Sequence, residues 1–232
     1  MYLLTETASP FALERWAAFF ANFGQFAKGF FYTLGISIGA FIVALLLGLI
    51  FGAMSSTHNK ILRGISRVYV EIFQNTPLLV QFVVVFYGIS ILTDGHVMIP
   101  ISLTAILCVG VYTGAYISEI IRTGIEAVPK GQTEAALSQG FTYADTMRII
   151  ILPQAVRTIL PPLTNQVVNL IKNTSTVAII SGADIMFTAK AWAYDTTNYV
   201  PAFAGAAFLY FIMCFPLATW ARRKEEENKK AY

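Results

Sequence analysis

The sequence predicts an all-α membrane protein, a polytopic bundle of five transmembrane helices carrying one polar insert on the cytoplasmic side. Three observations predict it. Of the 232 residues, 56% are hydrophobic and only 12% are charged, whereas a soluble domain carries about a quarter charged residues. Five apolar runs are each long enough to cross about 30 Å of hydrocarbon at roughly 1.5 Å per residue. The basic residues cluster in alternate connections. A backbone in lipid must satisfy its own hydrogen bonds, so the runs are helices.

Residues 1–25 form an N-terminal segment without the basic region or small-residue cleavage site of a secretory signal. The first span is therefore expected to act as the insertion signal. Within that segment "SPFALERWAAFFANFG" (9–24) has a cap at Ser9 and Pro10 at the first helical position. Its Phe11, Trp16, Phe19, Phe20 and Phe23 alternate with Glu14 and Arg15. Two readings stay open, an interfacial helix and an outward extension of the first span.

The membrane domain covers 26–221, with spans read at 26–54, 68–92, 100–121, 156–180 and 200–221. Pro77 in the second and Pro161 and Pro162 in the fourth predict kinks. Residues 222–232 form a charged tail. Arg15, Lys28, Lys172 and Lys190 aside, every Lys and Arg lies in or beside three places: the 60–67 flank, the 122–157 loop and the tail. The positive-inside rule puts those in the cytoplasm and the N-terminus outside, as an odd span count requires. These scattered clusters make no continuous basic face, so nucleic acid is not an expected partner. Cys108 and Cys214 lie inside apolar runs and read as small hydrophobes. His58 and His96 sit in loops, without ligand partners at a useful spacing.

The loop at about 126–153, "EAVPKGQTEAALSQGFTYADTMRIIILP", is too polar to cross a bilayer. Pro129 and Gly131 make a turn, and "QTEAALSQ" is a good helix former. Gly140 suits a left-handed cap. Thr142 with Asp145 resembles a capping box that opens a second short helix, at about a right angle to the first. Such a pair is either a solvated connector or a knob that fits a cleft on a soluble partner.

The pattern Glu134-Ala135-Ala136, then Gly140, then Ile150, then Leu152-Pro153, resembles the EAA signature of ABC-importer permeases. In that family the segment is the coupling helix that docks into a groove of the cytoplasmic ATPase. "EIFQNTPLLVQF" (71–82), "TGAYISEIIRTGI" (113–125) and "IKNTSTVAII" (171–180) are similar to stretches of the polar amino acid permeases. The likeness runs from about residue 28 to 220. It departs at Gln74-Asn75, where the family often has Arg-Gly or Arg-Asn, and at Thr176, where Leu is common. The resemblance implies the type I importer permease fold in a bacterial inner membrane. It also implies two ABC ATPase subunits, a second permease subunit, an extracellular binding protein and an amino acid substrate, with membrane lipid around the bundle. No cofactor is expected on this chain, since ATP and Mg would bind the partner ATPase.

Polar side chains form stripes within three spans: Asn165, Asn169, Lys172, Asn173 and Thr176; Tyr112, Tyr116, Glu119 and Thr123; Glu71, Gln74, Asn75 and Gln81 around Pro77. Amide stripes can join helices by hydrogen bonds worth about 0.6 kcal/mol each. A lysine at mid-depth costs roughly 2.5–3.5 kcal/mol on insertion scales and marks a functional position. A zwitterionic substrate needs both signs along its route, so Glu119 and Lys172, with Asn75, Thr76, Asn173, Thr174 and Ser175, are the expected pathway residues. The competing reading is a Glu119–Lys172 ion pair that only stabilises the bundle. Arg122, close to the cytoplasmic boundary, reads either as part of an inner gate or, the favoured reading, as a side chain that snorkels to the interface.

No GxxxxGK[ST] phosphate-binding loop is present and no nucleophile stands beside a base. The expected role is thus the non-catalytic permease subunit of a binding-protein-dependent ABC importer for polar amino acids, with glutamate, aspartate or glutamine favoured. The alternative is an ion-coupled secondary transporter, which would show inverted repeats with paired broken helices; none is visible. A third possibility, an anchoring subunit without a pathway, would have apolar spans.

Overall fold

The computed structural model describes residues 9–230, and every regular element in that range is helical. The first eight residues of the N-terminal segment and the last two of the tail lie outside it. Helix α1 (Leu13–Ala21) is followed after a single residue by α2 (Phe23–Ser55). Next come α3 (Lys60–Asn75), α4 (Leu78–Val83), a π-helical turn at Val84–Gly88 and α5 (Ile89–Leu92). Helix α6 (Ile101–Glu126) leads into the polar insert, α7 (Lys130–Ser138) and α8 (Tyr143–Asp145). A π-helical turn at Thr146–Ile151 feeds α9 (Leu152–Asn173), which passes into a 3-10 segment at Thr174–Ile180. Helices α10 (Ile185–Thr196) and α11 (Tyr199–Lys230) complete the chain.

The frame of the bundle is the pair α2 and α6. Ala40, Ala44, Gly48 and Gly52 recur every fourth residue on α2 and are all buried. A Cβ added at Gly48 would lie 2.4 Å from Ile117, and one at Gly110 on α6 would lie 3.0 Å from the Ala40 carbonyl oxygen. With little apolar gain available between helices in lipid, close backbone approach through small residues is the packing force that remains. Helix α3 crosses this frame. Ser66 Oγ donates to the Phe51 carbonyl at 2.7 Å, and Tyr69 OH donates to Val111 at 2.7 Å. Gln74 Nε2 donates to Ala115 at 3.2 Å.

Among the described residues, three helices are long and apolar enough to cross a membrane: Phe23–Ser55, Ile101–Glu126 and Tyr199–Lys224. The span read at 68–92 is not one helix. Its α3 half and its Leu78–Leu92 half are bent by 99°. The cause is local: the residue before a proline is pushed out of the α region, and Thr76 is extended at φ −109°, ψ 127°. Gln81 Nε2 bridges the break, donating to the Phe73 and Thr76 carbonyls at 3.2 and 2.9 Å.

The span read at 156–180 also changes: α9 starts at Leu152, and its last seven residues are the 3-10 segment. At 22 residues α9 is long enough. Yet it falls outside the helices that qualify on hydropathy, as Arg157, Pro161, Pro162, Asn165, Asn169 and Lys172 dilute its apolar content. It packs between α6 and α11, and Gly124 of α6 accommodates Ile159.

The N-terminal helix starts later than Ser9 and Pro10 suggest. Ser9 Oγ accepts only from the Phe11 N–H, within a turn, and Ala12 precedes the helix without a side-chain cap. Helix α1 is joined to the far end of the chain. Phe19, Phe26 and Trp192 form an aromatic cluster with centroids 4.8–6.0 Å apart. Arg15 donates to the Thr197 carbonyl at 2.9 Å and to Asn198 Oδ1 at 3.0 Å.

Candidate functional site

Three places carry polar chemistry: the insert between α6 and α9, a cleft at the base of α2, α3 and α6, and a small cavity between α9, α10 and α11.

In the insert, Pro129 precedes α7, and Ala136 is its buried residue while Glu134 and Ala135 face outward. The helix ends as Gly140 predicts. Phe141 N–H donates to the Ala136 carbonyl and Gly140 N–H to Leu137, the paired bonds of a Schellman motif. Gly140 has φ +89°, and a Cβ there would meet nothing within 4 Å, so backbone conformation alone calls for glycine. The capping box is modified. Thr142 Oγ1 accepts from the Asp145 N–H as a cap should, but the Asp145 carboxylate takes the Thr142 hydroxyl at 2.6 Å. The second helix then stops after three residues and continues as the π turn. Ile150 lies in that turn, and Leu152 and Pro153 open α9 and are exposed. Leu137, Phe141 and Tyr143 are 46%, 37% and 42% exposed, leaving an apolar patch beside Glu134.

Glu119 and Lys172 do not meet. The Glu119 carboxylate is held by the Arg122 guanidinium, with Nε to Oε2 at 2.9 Å and a second bond from Nη2 to Oε1. Arg122 also pairs with Glu126. It is therefore clamped between two carboxylates on its own helix. The stabilising ion pair of Glu119 is local to α6, because an i, i+3 partner needs no neighbouring helix. Glu119 and Arg122 line a cleft of about 900 Å³ with Lys60, Arg63, Glu71 and Gln74. Ser118 also faces it, buried and with its hydroxyl unpartnered.

Lys172 instead lines a separate cavity of about 300 Å³, with Ser175, Met186, Phe203, Ala206, Ala207 and Tyr210. Ser175 Oγ is turned to the Lys172 carbonyl at 2.8 Å, and the buried Thr174 hydroxyl to Ile171 at 2.7 Å. Asn173 is half-buried at the junction of α9 and the 3-10 segment. At the α3–α4 break, Asn75 Nδ2 donates to the Glu71 carbonyl and carboxylate at 2.8 and 3.0 Å, beside Thr76. The expected pathway residues thus fall into three groups within one chain.

One site residue escaped the sequence reading. Asp184 has 0% exposure. Its carboxylate caps α10, accepting from the Met186 and Phe187 N–H groups at 3.0 and 3.1 Å, and it accepts from Tyr210 OH at 3.1 Å. Since Tyr210 lines the Lys172 cavity, Asp184 fixes that wall. The available signal was an acidic residue directly before an apolar helix, a capping pattern.

Residues 44–225 match the family described as "Binding-protein-dependent transport system inner membrane component". The chain belongs to that family. It is a multi-pass inner-membrane permease component of an ABC transport system, and membership implies an ATPase partner and a binding protein. It is 36% identical over 216 residues to "Probable glutamine ABC transporter permease protein GlnM" of Bacillus subtilis, covering 92% of this chain and 97% of that one. With "Glutamate/aspartate import permease protein GltJ" of Escherichia coli K12 the identity is 33% over 208 residues, covering 82% and 85%. A solved "amino acid ABC transporter with histidines" has a chain that superposes at TM-score 0.84 with 31% identity, covering 91% of this chain and 97% of that one. These findings lend no support to an ion-coupled transporter.

Proposed function

We propose that this chain forms part of the translocation path of an importer for polar amino acids and that the Lys172 cavity receives the substrate carboxylate. The observation that carries this is one ammonium on a small cavity otherwise lined by Ser175, Met186, Phe203, Ala206, Ala207 and Tyr210. Pockets that bind small polar molecules pair mostly apolar walls with a few placed charges. A substrate with a second carboxylate or an amide suits it, in line with the relatives named for glutamine and for glutamate and aspartate. Ser175 lines the cavity beside Lys172, Asn173 and Thr174 are the backbone that joins them, and Asn75 and Thr76 form the hinge of the broken span. Glu119 stands on the cytoplasmic exit cleft, where a carboxylate meets the substrate ammonium.

The segment holding Glu134, Ala135, Ala136, Gly140, Ile150, Leu152 and Pro153 docks the ATPase. Two permease subunits, two ATPases and an external binding protein make the working assembly, with the N-terminus of this chain outside and the tail in the cytoplasm. ATP and Mg bind the ATPases, and this chain catalyses no reaction of its own. ATP-driven closure of the ATPases shifts the permease pair between inward- and outward-facing states. The test is purification of the tagged chain from native membranes in mild detergent with partner identification by mass spectrometry. A co-purifying P-loop ATPase supports the assembly. A chain that purifies alone and moves amino acids without ATP overturns it.

A further inference from the structure

His58 lies on the short turn between α2 and α3, on the wall of the cleft that also holds Glu119, and has been given no role above in docking or in the pathway. Its imidazole meets the Tyr143 ring edge to face, with centroids 5.1 Å apart and planes at 78°. Tyr143 is the first residue of α8, directly after the Thr142 cap, within the segment proposed to dock the ATPase. That segment is covalently joined to α6 and α9. Nothing in the chain path joins it to α3.

We infer that His58 is a positioning residue, through which movement of the docking segment reaches α3 as a third lever beside α6 and α9. The inference rests on the importer reading. Two features make the contact suited to transmitting displacement. Edge-to-face ring pairs are directional, so a shift of one ring carries an orientation preference to the other. The turn behind His58 is also stiff. Asn59 N–H donates to Thr57 Oγ1 at 2.8 Å, and Asn59 Oδ1 accepts from the Ile61 and Leu62 N–H groups at 2.9 and 3.4 Å. A push on His58 is therefore passed to the first turn of α3 instead of being lost in slack loop.

From there the path is physical. Helix α3 ends at the Thr76–Pro77 break, and α4 beyond it packs on the 3-10 segment that follows Lys172. Leu78 and Phe82 share one core with Val177 and Ile180. Displacement at Tyr143 thus has a packed route to the backbone flanking the Lys172 cavity. Spatial continuity alone does not demonstrate coupling, so a double-mutant cycle is the appropriate test.

The permease is purified with its ATPase, reconstituted in vesicles with the binding protein, and amino acid moved per ATP hydrolysed is measured. His58→Ala lowers that ratio by about two- to tenfold, the span expected of an aromatic pair. His58→Phe, which keeps a ring at the contact, restores it. Tyr143→Ala reproduces the loss, and the double variant is no worse than either single one. Unchanged stoichiometry in His58→Ala, or single losses that multiply in the double variant, overturns the inference. His58→Phe as defective as His58→Ala overturns it too, since a ring contact is then not what matters. Wild-type vesicles that fail to couple uptake to ATP at all would instead sink the importer reading.

Discussion

Replacing Gly140 by alanine isolates a single physical quantity. The residue sits at φ +89° and closes the Schellman motif after α7. A Cβ there meets nothing within 4 Å, so no steric contact with a neighbour confuses the result. What remains is the cost of holding an L-residue in the left-handed region, about 1–2 kcal/mol. That cost falls on the docking-competent arrangement of the insert and not on the membrane bundle. The competent-to-incompetent ratio falls by about 5–30-fold, so the apparent dissociation constant for the ATPase rises by up to that factor. The assay is titration of the purified ATPase against the permease in nanodiscs, following association or stimulated ATP hydrolysis. Gly140→Asn, which tolerates left-handed backbone better, falls between alanine and wild type. Equal affinity of wild type and Gly140→Ala, or an asparagine variant worse than the alanine one, refutes the reasoning.

Two pairs of substitutions probe the frame and the cavity wall. Gly48→Leu places its Cβ where Ile117 already stands, and overpacking of a tight contact costs about 1–3 kcal/mol; thermal unfolding in detergent will show a lowered midpoint, with Gly35→Leu, at an open position, near wild type. Asp184→Asn retains an N-cap for α10, whereas Asp184→Ala removes the cap at a cost of about 1 kcal/mol and leaves the Tyr210 hydroxyl without that acceptor. The same unfolding assay will therefore rank wild type and Asp184→Asn above Asp184→Ala.

The bundle was legible in the sequence where apolar runs were long and unbroken. The reads 26–54, 100–121 and 200–221 lie within α2, mostly within α6, and within α11, because length and hydropathy in those runs are set by the bilayer itself. The second and fourth reads failed at their internal boundaries. Hydropathy averages over a window and has no term for the backbone, so it ran through Thr76–Pro77, where the chain turns by 99°. It likewise merged α9 with the 3-10 segment. Turn chemistry carried further: Gly140 and Thr142 cap as their residue types demand, since both effects are local.

The pathway residues were harder. Each polar stripe gives a face of its helix and not the helix it faces. Glu119 and Lys172 carry opposite charges, so an ion pair between them stood as the competing reading; Arg122 one turn away pairs with Glu119 instead. Asp184 was invisible to a search for polar residues inside spans, for it precedes α10 and is buried by tertiary packing alone.

The most direct test of the central claim is ATP-driven uptake of labelled glutamate and glutamine by the reconstituted permease, ATPase and binding protein, wild type against Lys172→Met. The account predicts uptake that requires ATP, and a KM raised about tenfold in the variant, the loss of roughly one charge-assisted contact, with complex assembly unchanged. Uptake that proceeds without ATP, or unaltered kinetics in fully assembled Lys172→Met complexes, would contradict it.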